Sequence, residues 1–147
     1  MKTGITTDTR TIALYDLAPG RLIVVDIDLH ASFGPVIFGD TKEGAFAIRL
    51  ADSMSEKSGD GQMVNAEGKR GMNEVWGHRS KWVDYTGTVD SEKLGVAIFD
   101  AASNPRHPVY WHSRDYGLFA LNPFGQHSFD PAQPEKYLAS FAIKKAA

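Results

Sequence analysis

From Arg21 to Ser32 the sequence reads RLIVVDIDLHAS. Its second half alternates, with Val25, Ile27, Leu29 and Ala31 facing one way and Asp26, Asp28 and His30 the other. A period of two is the mark of a strand with one face toward a core, and it predicts a half-buried antiparallel strand here. No stretch of the chain carries an apolar stripe at helical spacing. The alternation therefore constrains the fold more than any other feature.

The same period recurs. TRTIALYDL alternates more loosely before the first strand, and APG at Ala18 to Gly20 is a reverse-turn signal that joins the two as a hairpin. GAFAIRLAD places Phe46, Ile48 and Leu50 on one face, and SKWVDYTG sets Trp82, Asp84 and Thr86 against Val83 and Tyr85. KLGVAIFDA, apolar on both sides, predicts a strand buried on both faces. YGLFALNPF and KYLASFAIKK complete seven strands. Short strands separated by turns, with no helix between them, predict an all-β fold: an antiparallel β-sandwich, mutarotase-like or jelly-roll-like, with long irregular loops and little helix. At 147 residues the expectation is one domain spanning 1–147. Ser53 to Arg79, rich in glycine and charge, interrupts the regularity; it is either a mobile surface excursion with a small QMVNA hairpin or a lid over a site.

Composition narrows the function classes. A formal charge of −2, with lysine and arginine scattered, provides no basic field for a polyanion, so nucleic acid is not an expected partner. The absence of cysteine removes thiolate metal sites and a cysteine nucleophile. The longest aliphatic run, Leu22 to Val25, is far short of the roughly 20 residues that span a bilayer, and a soluble chain with no membrane partner is expected. The N-terminus lacks the apolar core of a signal peptide, which leaves the compartment open.

Chemistry-bearing residues concentrate in SNPRHPVYWHSRDYGLFALNPFG, residues 103–125. Pro105 and Pro108 restrict Asn104 and His107 to extended backbone, so NPRHP is stiff and not helical. If the following segment is extended, Trp111 and Ser113 point to one side and His112 and Arg114 together to the other. The functional reading is a polyol or sugar site, with aromatic faces against the ring and Arg, Asn, Asp and His on the hydroxyls. The structural reading is that Arg114 pairs with a carboxylate, His112 caps a carbonyl and the tryptophan is core. A second candidate, FGDTKEGAFAIR, holds Asp40, Lys42 and Glu43 between two glycines before a strand, where turn chemistry explains much of the pattern. In WGHRSKWVDY, alternation allows at most half of the polar residues to share a pocket. His107 and His112 do not complete a metal motif, and phosphate loops, dinucleotide fingerprints and nucleophile elbows are missing. No metal and no cofactor is expected.

The segments FGDTKEGAFAIRLADSM, WGHRSKWVDYTG, GVAIFD and SNPRHPVYWHSRDYGLFALNPFG resemble the C-terminal half of a bacterial family of uncharacterised proteins labelled "methane oxygenase PmoA". The likeness covers roughly residues 7–129. The label names an integral membrane enzyme, whereas this chain has no spanning segment. The resemblance implies a soluble β-sandwich similar to sugar-binding and mutarotase-like proteins, associated with carbohydrate degradation. It places Asp40, Lys42, Glu43, Arg49, Trp76, Lys81, Trp82, Asn104, Arg106, His107, Trp111, His112, Arg114, Tyr116, Asn122 and Pro123 in the family's recurrent motifs, none with a catalytic role to transfer. The family's preceding half, with its histidine-rich segment, has no counterpart here. A fragment or reduced form is therefore expected, with self-association or pairing with a missing N-terminal half.

Three functions follow as expectations. The first is a carbohydrate-binding or accessory sandwich in which tryptophans stack on sugar. The second is an acid/base carbohydrate-active enzyme, with His112 as acid or base, Glu43 or Asp115 as partner carboxylate, and Arg114 and Asn104 binding substrate. The third is a structural half-domain without ligand.

Overall fold

The computed structural model describes residues 4–40 and 42–125, together with the backbone of 140–143. Its contacts divide the chain into two compact units, Met1–Phe38 with Phe141–Ala147, and Gly39–Ser140. Chain length bounds how much core there is but not how it is divided, so the single domain expected from length did not anticipate these units.

The first unit is dominated by a hairpin. Strand β1 (Thr7–Leu17) pairs antiparallel with β2 (Gly20–His30) through every residue from Thr7 opposite His30 to Leu17 opposite Gly20. The turn falls on Ala18 and Pro19, where the APG signal placed it. Cross-strand partners share a face, so one face carries Ile12, Leu14, Ile23, Val25, Ile27 and Leu29 between two ion pairs, Arg10 with Asp8 and Arg21 with Asp16. The other face is polar at its open end and apolar toward the turn, with Tyr15 opposite Leu22. The expected half-burial is not found: Leu14 is 73 % and Ile12 62 % exposed, and Val25 alone in β2 is partly covered. Alternation reports a face able to be covered, not that a second layer covers it. Strand β3 (Val36–Gly39), which the alternation did not reveal, pairs with β10 (Ser140–Ile143). The rest of the KYLASFAIKK segment lies outside the described residues.

The second unit is a small antiparallel sandwich. One sheet has the order β4 (Phe46–Arg49), β9 (Leu118–Asn122), β8 (Tyr110–Trp111), and the other β5 (Gln62–Asn65), β6 (Trp82–Val89), β7 (Glu92–Phe99). Their facing sides share one core. Trp111, Phe119 and Leu121 come from the first sheet and Met63, Val83 and Tyr85 from the second, with Phe119 edge-on to Tyr85 at 5.8 Å and stacked on Trp111 at 5.9 Å. The alternations of β4 and β6 hold: Phe46 and Ile48 face this core, and Val83 and Tyr85 are fully buried while Trp82 lies on the outer side.

Three expectations meet the structure here with different outcomes. KLGVAIFDA is an edge strand with one face packed, through Val96 and Ile98, while Leu94 and Phe99 are exposed. The run from Ser53 to Arg79 contains the small hairpin expected at QMVNA, with Val64 opposite Arg70, but it is not a surface excursion. Met54, Met63 and Val75 from it sit in the core, around a 3-10 turn (Asp52–Met54), β5 and the single turn α1 (Met72–Val75). Its polar composition serves internal anchoring: both oxygens of Glu56 accept backbone amides, from Met63 at 3.1 Å and from Met72 at 3.0 Å. NPRHP is not helical, as expected, and forms a series of turns in which the His107 amide donates to the Asn104 carbonyl and Arg106 adopts φ 64°.

Candidate functional site

The outer face of the β4–β9–β8 sheet carries the candidate site. Because Phe119 and Leu121 face the core, Ala120 and Asn122 face outward, and β8 likewise turns Trp111 inward and Tyr110 outward. Alternation continues past β8. His112 donates its amide to the Ala120 carbonyl and Arg114 to that of Leu118, and the turn closes at Gly117, whose φ of 83° suits glycine. His112 and Arg114 emerge on the same side, as the alternation predicted, and both meet Trp76. The imidazole stacks on the indole at 6.2 Å, and the Arg114 guanidinium lies 3.8 Å from the indole centre.

The loop before β4 covers this face. A Cβ on Gly44 would lie 2.4 Å from that of Ala120, so only a glycine here opposite so small a residue lets the loop descend. At that depth the Gly44 amide donates to Nδ1 of His112 at 3.0 Å. With Nδ1 accepting, the proton of the neutral ring resides on Nε2, which is left as a donor. The ring is 4 % exposed. Burial pushes its pKa below the ordinary 6.5; the Glu43 carboxylate, 3.5 Å from Nδ1, opposes this, while Arg114 and Lys42 reinforce it. Burial outweighs Glu43 because that carboxylate is 64 % exposed and screened by water.

A consequence for stability follows. The unfolded chain binds the His112 proton near pH 6.5 and the folded chain only at lower pH, so this contribution is full above about 6.5 and lost as pH falls toward the folded value. Denaturant unfolding between pH 7.5 and 4.5 is expected to show His112→Gln with a shallower acid limb than the parent, by up to about 1.4 kcal/mol per pH unit. Parallel limbs would assign the acid sensitivity elsewhere.

Further along the same face, Tyr116 lies between two guanidinium groups, Arg49 at 5.2 Å and Arg114 at 5.7 Å from its ring centre, and Arg49 also donates to the Tyr116 carbonyl at 2.8 Å. In the other direction Arg79 covers the Tyr110 ring at 5.0 Å. Nε of Arg114 is buried with no hydrogen-bond partner among the described residues. The core tyrosine Tyr85 steadies the turn from beneath: its hydroxyl accepts the Glu56 amide at 3.0 Å and lies 3.5 Å from the Arg114 and Asp115 carbonyls.

The remaining candidates separate into other places. Asp40 and Asn122 are buried beside the site's strands, and Asn122 accepts the Gly125 amide at 2.9 Å. Lys42 is exposed on the covering loop. Asp115 alternates away from His112 and lines a shallow groove of about 320 Å³ with Glu56, Lys57 and Arg70; it is not placed as the carboxylate partner of His112. Trp82 is on the outer face of the opposite sheet. Trp111, expected as a stacking platform, is 1 % exposed, its Nε1 donating to the Ser80 carbonyl at 2.9 Å, and this burial removes it from any ligand surface. Arg106 donates to the Phe124 carbonyl at 2.8 Å and ties the turns to the end of β9.

Asn104 and His107 converge on a residue that sequence reasoning passed over. Asp100, 6 % exposed, accepts the Asn104 amide at 2.9 Å, the His107 ring at 2.7 Å and the Val109 backbone at 3.0 Å. The available signal was an aspartate directly after a strand and before a proline-rich turn, whose orphan donors need an acceptor.

No curated protein and no solved structure matches the chain. A family model matches residues 2–143, almost the whole sequence, and the chain therefore belongs to the family of unknown function DUF6807.

Proposed function

We propose that the second unit is a carbohydrate-binding module that holds its ligand on the outer face of the β4–β9–β8 sheet. The observation that carries this reading is the convergence on one indole, Trp76, of the His112 imidazole and of Arg114, whose buried Nε has no hydrogen-bond partner among the described residues. A saccharide supplies a dense set of hydroxyl and ring-oxygen acceptors for them, and Tyr116, 38 % exposed, offers a ring face at the margin. Nothing in the site needs a cofactor to bind such a ligand.

Amide-resolved NMR during titration with a panel of mono- and disaccharides tests it. Shifts confined to Gly44, Trp76, His112, Arg114 and their neighbours are expected. Arg114→Gln and His112→Gln should each weaken binding about 3- to 10-fold, the worth of one hydrogen bond. A panel that moves no resonance on this face would sink the proposal.

A second reading is acid/base catalysis on the bound sugar. Its support is the neutral, buried imidazole with a carboxylate 3.5 Å away: with Nδ1 accepting from Gly44, the Nε2–H serves as the acid and the Glu43 carboxylate as the base. In this reading Glu43, not Asp115, is the partner, and the amide of Asn104 is already engaged with Asp100. Turnover of any saccharide that survives His112→Gln unchanged would dismiss it.

A further inference from the structure

Tyr110, His112, Arg114 and Tyr116 stand at every second position; the first three share one side of the segment leaving β8, and Tyr116 follows in the turn that Gly117 closes. Each is matched by a neighbour from elsewhere in the unit. Arg79 lies over Tyr110, Trp76 lies against both His112 and Arg114, and Arg49 lies against Tyr116. The outcome is a strip in which three guanidinium groups alternate with aromatic rings along the sheet's outer face. Among the described residues none of the three arginines is ion-paired with a carboxylate. A guanidinium beside a ring keeps edge N–H donors for a carboxylate, in the planar fork that matches it; of the three, Arg49 has spent one donor on the Tyr116 carbonyl.

Resting on the carbohydrate reading, we propose that the strip is built for an acidic saccharide, a short chain of uronic acid residues whose carboxylates meet Arg79, Arg114 and Arg49 in turn. A single hexose engages one guanidinium, whereas the strip presents three along an extended line. Tyr116, 38 % exposed, supplies aromatic surface beside the charges. Arg114 is central because it is the one held between two rings, Trp76 and Tyr116, with a buried donor awaiting an acceptor. A phosphate-dense polymer is a poorer match, because a chain of net charge −2 with scattered lysine and arginine lacks the broad basic field such a polymer needs.

The test is calorimetric titration of the full chain with tetragalacturonate, with neutral tetragalactose and with a short oligothymidylate, at low salt and at 0.5 M NaCl. Tetragalacturonate is expected to bind at least tenfold more tightly than its neutral counterpart and to lose most of that advantage in high salt. Arg79→Gln, at an exposed position that does not threaten folding, should reduce the preference severalfold, and Arg114→Lys should reduce it further because the charge stays while the planar fork is lost. If the neutral tetrasaccharide binds as tightly as the acidic one, the charge reading is wrong and the carbohydrate reading stands. If neither saccharide binds, both fall. Oligothymidylate binding as tightly as tetragalacturonate would make the strip a general polyanion surface and overturn the proposal.

Discussion

Trp111→Ala is expected to lower the unfolding free energy of the second unit by about 3–5 kcal/mol, the usual range for emptying an aromatic site in a packed core. The indole is 1 % exposed, stacks on Phe119 and donates Nε1 to the Ser80 carbonyl, so truncation leaves a cavity between the two sheets and an acceptor without its donor. Against the 5–15 kcal/mol that stabilises a typical domain, such a loss is a large fraction of the whole. Trp111→Phe keeps a ring against Phe119 and should lose roughly half as much. Denaturant unfolding followed by circular dichroism measures both. A Trp111→Ala loss below about 1 kcal/mol would contradict the indole's place in the core.

The second large effect is at Asp100. Its carboxylate accepts from Asn104, His107 and the Val109 backbone, and the last of these amides belongs to a residue 2 % exposed. Removing the acceptor strands the Val109 donor in a place water does not reach, and Asp100→Ala is expected to cost about 2–4 kcal/mol. Asn104→Ala, which removes one of the three donors and strands nothing on the backbone, should cost about 1 kcal/mol. The pair of measurements separates the roles. Equal losses would mean that the side-chain bond, and not the Val109 amide, carries the stabilisation.

These two residues mark where the sequence was legible and where it was not. Alternation correctly divided Trp111 from His112 and Val83 from Trp82, because the period of a strand is fixed by the backbone whatever surrounds it. It does not say which of the two sides a second sheet covers, and for Trp111 that choice separates a core residue from a ligand platform. The hairpin was legible from APG and two flanking alternations, yet its exposure was not, for the same reason. Asp100 escaped notice because its importance lies in three donors scattered over residues 104–109, a convergence made by turns with no period. Ser53 to Arg79 misled because its glycines and charges look like solvent-facing loop; Glu56 instead spends its charge on two backbone amides. Trp76 arrives from that misread segment, and it is the surface on which His112 and Arg114 meet. Only the three-dimensional register, with Gly44 pressed on Ala120, brings the Asp40–Gly44 loop to the histidine.

The hairpin of β1 and β2 also sets an order of events. Every contact in it lies within the first thirty residues, closing outward from Leu17 opposite Gly20, and such local pairing forms in microseconds. The β4–β9 ladder must bring Ile48 to Phe119 across the length of the second unit, a search that grows slower as the loop to be closed lengthens. Any chain in which this ribbon closes before the sandwich is made presents Ile12, Leu14 and Ile23 in register, and encounters between such chains compete with completion of the fold in proportion to concentration.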